Sequence, residues 1–523
     1  MISSIANLPD NAADLKKIIA EYQAHIKILE EKIRFLQDKL FGRKSEKLTE
    51  SKYHQLPLFD EAETILEKPC PDEEDKADKI VVPAHTRQKP GRKPLPDNLP
   101  RVEVIHDLSE EEKICGCGCQ MSRIGEEVCE KLDIIPAKIQ VIRHIRYKYA
   151  CKECEGVESD EGAVKIAPPP AQIIPKSIAT EGLIANIVVS KFADALPFYR
   201  QEKILERIGV DIPRATMANW TIQVADQCEP VLSLLHQELL CGFVINIDET
   251  PVQVLGEAGR ANTTKSYMWA FRGGGIDQPV LIFQYQPTRS GLIVESYLQD
   301  YQGYIQTDGY SGYDEFGRQV GIIHVGCWSH ARRLFVDVID AMPGSDKKKK
   351  GGNANTALSY IGRLYAIEAK AREEKLTPEQ IYQLRQEKSK RILEEFKIWL
   401  RDLYPKTPPK GLLGKAIGYC LSQWAKLERY ILDGRLKIDN NLIENAIRPF
   451  VLGRKNWLFS GSPRGAKASA DLYSLIETAK ANGLEPYRYL RFLFGRLPLA
   501  KTPEDYKALL PQYLDREQLK NLW

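Results

Sequence analysis

The chain holds 523 residues, 43% of them hydrophobic, enough for about three or four folded units rather than a single core. Its 74 Lys and Arg stand against 71 Asp and Glu, and the net charge of +3 excludes a uniformly basic coat but not local basic patches for nucleic acid. No basic and then apolar leader opens the sequence, and no stretch nears the roughly 18 apolar residues of a membrane span, so a cytoplasmic protein with no membrane partner is expected.

In residues 13–47, Ile19, Ile26, Ile33 and Leu40 recur every seven residues, and so do Leu15, Tyr22, Leu29 and Leu36. Mostly Ile at a and mostly Leu at d predicts a parallel two-stranded coiled coil, and hence a homodimer; one amphipathic helix packed on its own domain is the alternative. Residues 48–100 read as a linker, acidic from Asp60 to Asp78 and then basic and proline-rich around Arg87, Lys89, Arg92 and Lys93. The basic part is either a tether or an arm laid along phosphates.

Residues 101–160 carry five of the eleven cysteines in two clusters, Cys115, Cys117 and Cys119, then Cys151 and Cys154. Cysteine groups flanking a segment at 138–149 that reads as β-rich predict a zinc-finger-like module with structural Zn²⁺, held by Cys115, Cys117, Cys151 and Cys154. Which two of the first three thiolates bind is left open. Residues 176–240 are helical in pattern: a helix at 200–208, a turn at Gly209, and a second helix opened by Pro213 resemble a DNA-binding helix-turn-helix.

From residue 242 the pattern turns to strands. An apolar run ends in Asp248, residues 266–271 and 280–286 read as two more strands, and residues 303–307 repeat the first design before Asp308. A further strand at 322–325 leads into a helix beginning near Cys327. Three strands, then alternating strand and helix, predict a multidomain α/β protein with a mixed sheet layered by helices. Aspartates at the ends of neighbouring central strands bring carboxylates side by side, where they repel unless divalent cations stand between them. Mg²⁺ takes one or two carboxylates with waters and substrate phosphates, so Asp248 and Asp308 are candidate ligands of a two-metal phosphoryl-transfer site. Such a site needs a third acid to complete the second metal's shell.

The third acid comes from a resemblance. The block at 438–467, with Asp439-Asn440-Asn441 ahead of Glu444 and Gly453-Arg454-Lys455-Asn456-Trp457 behind it, closely resembles the C-terminal catalytic block of insertion-sequence-66 transposases, a TnpC-type branch of the DDE transposases. The likeness extends over nearly the whole chain, through Phe41-Gly42-Arg43-Lys44-Ser45 after the zipper, Leu132 to Ala137, Asp248-Glu249-Thr250, Thr307 to Tyr313, Cys327 to Arg333 and Ser474 to Tyr487. It implies an RNase H-like core, first part at 241–340 and last part at 436–495, with a helical insertion at 341–435 and a C-terminal tail at 496–523.

Within that core the resemblance implies that Asp248, Asp308 and Glu444 hold two Mg²⁺ or Mn²⁺ ions. It further implies a transposase that cleaves the ends of its element and joins the freed 3′-hydroxyl to target DNA. Small accessory proteins of the same element and a bacterial, nucleoid-associated setting belong to the same expectation. Around the block, Arg448, Arg454, Lys455, Arg464 and Lys467, interleaved with Trp457 and Phe459, read as a grip on flanking phosphates, with Arg332 and Arg333 beside His330 as further DNA contacts. Two other readings compete: a DNA-binding regulator derived from a transposase, and an RNase H-like nuclease that cuts without joining.

Overall fold

The structure is a computed structural model and describes residues 11–41, 139–150, 164–166, 168–342 and 352–520. The chain divides into two compact units, Lys68–Pro169 and the combination of Met1–Glu67 with Pro170–Trp523. In the smaller unit only one part of the expected β-rich segment is strand. β1 (Lys148–Ala150) pairs antiparallel with β2 (Val164–Ile166), while residues 139–147 have no ladder partner among the described residues. Apolar and β-branched composition alone does not make a strand without a neighbour to take its backbone hydrogen bonds. The five cysteines of the zinc module and the basic arm lie outside the described residues.

In the larger unit, α1 (Ala12–Phe41) carries the heptads; residues 42–47 lie outside the described residues. Glu31, at an outer f position, accepts a hydrogen bond from the backbone N–H of Leu412 at 3.3 Å. The a and d residues Ile19, Ile26, Ile33, Tyr22, Leu29 and Leu36 are exposed.

The following helices, α2 (Glu181–Phe192), α3 (Phe198–Arg207), α4 (Arg214–Gln227) and α5 (Glu229–Leu240), lead into the sheet. Gly209 turns the chain between α3 and α4 at φ +81°, a conformation that costs glycine nothing. α4 buries Met217, Trp220, Thr221, Val224 and Ala225 on one helical stripe and leaves Arg214 and Ala215 of its first turn exposed.

The sheet contains β3 (Val244–Val254), β4 (Lys265–Gly274), β5 (Pro279–Gln286), β6 (Gly303–Gln306) and β7 (Ile322–Val325) in the order β5-β4-β3-β6-β7. β3, β4 and β5 form an antiparallel meander, whereas β6 and β7 run parallel to β3. Parallel neighbours need a crossover, and α6 (Leu292–Tyr297) lies in the one between β5 and β6.

α7 (Trp328–Asp340) leaves β7 and joins α8 (Asn353–Glu373), α9 (Pro378–Leu384), α10 (Lys390–Leu403) and α11 (Leu412–Leu427). Trp328, Phe335, Ile361, Leu364, Phe396, Leu400 and Trp424 build a second hydrophobic core there. The chain then returns to the sheet as α12 (Asn441–Trp457), β8 (Phe459–Ser460), which pairs with the end of β3, α13 (Pro463–Ala481) and α14 (Pro486–Arg496).

α13 closes the free edge of the sheet. Ser474 Oγ and Thr478 Oγ1 accept from the backbone N–H groups of Phe283 and Leu281 on β5, at 2.8 and 3.0 Å. Those donors would otherwise offer a template for another strand. The stretch expected as a tail is not free of the body: Leu509, Leu510 and Leu519 are buried in the main core, which their apolar character favours once the preceding helix is docked. No helix among the described residues is long and apolar enough to cross a membrane.

Candidate active site

Side chains alternate along β3, so Asn246, Asp248 and Thr250 share one face and Ile245, Ile247 and Glu249 the other. The sequence predicts Asp248 at the end of its strand. The strand instead continues to Val254, because β4 pairs with it as far as Gln253. What ends here is the parallel neighbour: β6 stops at Gln306, opposite Asn246. Asp248 and Asp308 each lie two residues past that last pair, where the sheet opens. Pro251 falls in the stretch where β4 is the sole neighbour, before β8 joins at Gln253, so its missing N–H leaves no ladder bond empty on the open flank.

α12 crosses the Asp248 face and is pinned at both ends. Asn440, buried just ahead of the helix, donates its amide to the Ile247 carbonyl at 3.0 Å and accepts from Asn246 Nδ2 at 2.8 Å. Asn246 Nδ2 also donates to Gln306 Oε1 at 3.1 Å, and Gln306 Nε2 donates to the Lys437 carbonyl at 2.8 Å. An asparagine at this position ordinarily caps its own helix; here the amide is used to tie helix to sheet. Further on, Arg454 Nη1 donates to Thr250 Oγ1 at 3.1 Å. Glu444 stands one helical turn after Asn440, between the two pins, and so meets the carboxylates of β3 and β6.

The carboxylates act on one another's charge. Burial pushes the Asp248 carboxyl well above its usual range, and the charges of Glu249, Glu444 and Asp308 push it further. Glu444 is raised by burial too, against the lowering effect of Arg333, and Asp308 and Asp439 add to the rise. Asp248 Oδ1 accepts the Glu249 N–H and Asp308 Oδ1 the Tyr310 N–H, both at 2.9 Å. Both Glu444 oxygens are buried and lack a hydrogen-bond donor among the described residues. His330 Nδ1 lies 3.5 Å from one Glu444 oxygen and the Arg333 guanidinium 3.8 Å from the other. Burial and Arg333 hold the His330 imidazole below its ordinary pKa. Asp248 and Glu444, both raised by burial and by neighbouring acids, and the orphaned Glu444 oxygens are chemically suited to hard divalent cations.

Sequence reasoning passed over a second layer. On the opposite face of β3, Glu249 is buried and bonded to the Tyr313 hydroxyl and the Arg289 guanidinium. Arg289 lies over the Tyr310 ring at 3.7 Å, and Tyr310 Oη donates to the Arg289 carbonyl at 2.7 Å. This layer braces the loop after Asp308. Gly309 in that loop is required by close approach, since a Cβ there would strike the ring of Tyr419 on α11. Cys327 and His330 also escape notice as partners of Glu444: one ligand atom from each of the three lies within 4.8 Å of the others. The only signal in the sequence was their spacing in Cys327-Trp328-Ser329-His330.

The seven cations expected to face DNA are dispersed. Arg333 and Arg448 lie at Glu444, where both lower its pKa. Arg332 is felt by Tyr365, and Arg454 is half-buried against Thr250. Lys455 is exposed at the end of α12. Arg464 pairs with Asp226 at 3.2 Å and Lys467 with Asp471 at 2.8 Å and Glu229 at 3.4 Å. These last two line a cleft with His236 and Tyr285 whose lining does not include Asp248, Asp308 or Glu444.

A mixed sheet with acids converging where its parallel half opens, enclosed by helices, defines a multidomain α/β protein with a buried acidic centre. A family model described as "Transposase IS66 family" matches residues 176–468, more than half of the chain. Others match 28–104 (transposase C of IS166 homeodomain), 112–155 (zinc-finger binding domain of transposase IS66) and 474–512 (IS66 C-terminal element). The chain belongs to the IS66 transposase family. It is 33% identical to uncharacterized protein y4qI of Sinorhizobium fredii, over 81% of this chain and 78% of that one. Uncharacterized protein y4jD of the same organism is 32% identical over 96% of each chain. The zinc-finger match spans Cys115, Cys117, Cys119, Cys151 and Cys154, which supports a structural Zn²⁺.

Proposed function

We propose that the chain is a DDE-type transposase whose RNase H-like core cleaves the ends of an insertion sequence and joins the freed 3′-hydroxyl to target DNA. The observation that carries this reading is that Asp248, Asp308 and Glu444, from separate stretches of chain, come near enough where the parallel half of the sheet opens for Asp308 and Glu444 both to act on the Asp248 charge. The strand order, an antiparallel meander continued by two parallel strands, supports the RNase H-like assignment.

Asp248, Asp308 and Glu444 would hold two Mg²⁺ or Mn²⁺ ions, which neutralise phosphate charge and activate the attacking oxygen. The chain's own residues position and balance charge. The amides of Asn246, Gln306 and Asn440 fix α12 against β3, so that Glu444 is presented without rearrangement. Arg333, partly exposed, and Arg448 can meet phosphates beside the scissile bond. In the first reaction water attacks the phosphorus and the element's 3′-oxygen leaves with a proton. In the second that hydroxyl attacks a target phosphodiester and displaces the target's own 3′-oxygen. In-line placement and charge neutralisation suffice for both, and no covalent protein intermediate is needed.

The exposed a and d seam of α1, with its f face turned to the body, supports pairing with a second copy and so holding two element ends together. The α3–α4 pair and the zinc module are the candidate end-reading elements. The test is a strand-transfer assay with Mg²⁺ and DNA carrying the element's ends. Joined product is expected. Product cleaved but never joined favours a nuclease, and specific binding without cleavage favours a regulator.

A further inference from the structure

We propose that Cys327, His330 and Glu444 form a second metal site, for a thiophilic divalent ion such as Zn²⁺, which competes with the hard-metal site for Glu444. Its effect on catalysis rests on the function proposed above; its existence does not. Cys327 Sγ, a His330 ring nitrogen and a Glu444 oxygen lie within 4.8 Å of one another. One sulfur, one nitrogen and one oxygen suit a borderline-soft ion, whereas Mg²⁺ prefers oxygen throughout. Zinc bonds of about 2.0–2.3 Å require the three side chains to close in slightly, and three protein ligands leave the fourth position to water.

Burial and the charges of Glu444 and Asp439 push the Cys327 thiol up, so a bound cation is needed to displace its proton, while two backbone donors are already aimed at the sulfur. Cys327 precedes the first turn of α7, and its Sγ accepts the backbone N–H of Asn440 at 3.2 Å and that of His330. Backbone donors aimed at sulfur are the outer-shell partners that orient a metal-bound thiolate. The other two ligands are unmet: His330 Nδ1 and both Glu444 oxygens are buried with no hydrogen-bond partner among the described residues. Arg333 opposes a cation here, at 3.8 Å from Glu444, but its side chain is 43% exposed and can turn to solvent. Binding forms the metal–sulfur bond and releases the thiol proton to solvent. With Glu444 taken by the soft ion, the hard-metal site lacks its third carboxylate, so zinc blocks the enzyme.

The test uses the full-length protein with its zinc-finger module loaded. After dialysis against fixed free zinc, bound zinc per chain is measured for wild type, Cys327→Ser and His330→Asn. Wild type should hold one equivalent more than either variant. A Cd²⁺ titration of wild type should show a thiolate absorption increment that Cys327→Ser lacks. Equal zinc in all three proteins, or equal cadmium absorption in wild type and Cys327→Ser, overturns the site. His330→Asn leaves the thiol in place and decides the matter if the serine variant misfolds. In Mg²⁺-supported cleavage, the zinc concentration that halves activity should rise at least tenfold in both variants, and an unchanged value overturns the competition. Wild type that never cleaves DNA counts against the proposed function alone, and the zinc count still decides the site.

Discussion

The helical layer between α7 and α12 and the sheet both bury charge, and they treat it in opposite ways. Arg385, 1% exposed, is met on every side: a bidentate pair with Glu368 at 2.7 and 2.9 Å, and donations to the carbonyls of Tyr430, Asp433 and Leu436. Glu444, 5% exposed, has no hydrogen-bond donor on either oxygen among the described residues; Asp248, Asp308 and Asp439 stand near it, and the Arg333 guanidinium lies 3.8 Å away. A buried charge that is fully satisfied holds a structure together, and one left unmet stores a demand for a ligand. Arg385 fastens the helical layer to the segment that enters α12, so the satisfied cluster anchors the element that carries the unsatisfied one.

The contrast can be broken from either side. On the proposed function, Asp248→Asn should lower DNA cleavage by about a thousandfold or more, since losing a metal ligand would remove several kcal/mol of transition-state stabilisation and each 1.4 kcal/mol is tenfold. DNA affinity should stay near wild type in a gel-shift titration, and unchanged cleavage would sink the site assignment. Arg385→Ala should do the reverse, costing about 3–5 kcal/mol of stability by stranding Glu368 and three carbonyls. A denaturant midpoint within error of wild type would show the cluster to be ornamental.

Asn440→Ala should fall between these, at about 1–3 kcal/mol, because it leaves one Asn246 Nδ2–H and the Ile247 carbonyl without the partner Asn440 gives them. If the residue positions Glu444, the Mg²⁺ concentration for half-maximal cleavage rises as well; a change in melting temperature alone would mean a merely structural part. The pH response is smaller. Folded carboxyl pKa values raised above the unfolded ones mean that stability is lost as pH rises from about 4 through the folded values. Metal-free wild type should therefore lose more melting temperature than Asp248→Asn between pH 5.5 and 7.5, and Mg²⁺ should restore it in wild type only. Equal slopes would argue against the raised Asp248. Least of all, Arg464→Ala breaks an exposed pair with Asp226, worth under about 1 kcal/mol.

Much of the sheet was legible because its strands are β-branched or aromatic runs bounded by Gly and Pro: residues 266–271, 280–286 and 322–325 lie within or match β4, β5 and β7. The extent of β3 was not, since Thr250-Pro251 reads as a stop unless the partner strand is known. Asp248 and Asp308 could be paired from their repeated local design. Glu444 rested on its surrounding block, and nothing local links Asn440 to Asn246, 194 residues away. The basic residues after Glu444 do not lie together, because adjacency in sequence says little about which side of two successive helices each one faces. Arg464 and Lys467 begin a new helix and turn to Asp226 and Glu229.

The Asn246–Asn440 hydrogen bond also has a consequence in time. The sheet from β3 to β7 is contiguous in sequence, but α12 is fastened to it by a bond that spans 194 residues and the whole helical layer. Closing so long a loop is slow relative to local folding. A chain still being made, or cut anywhere in the helical layer, would carry two aspartates and no glutamate. On the function proposed above, the capacity to break DNA would therefore arrive last, once the molecule that must control it is whole.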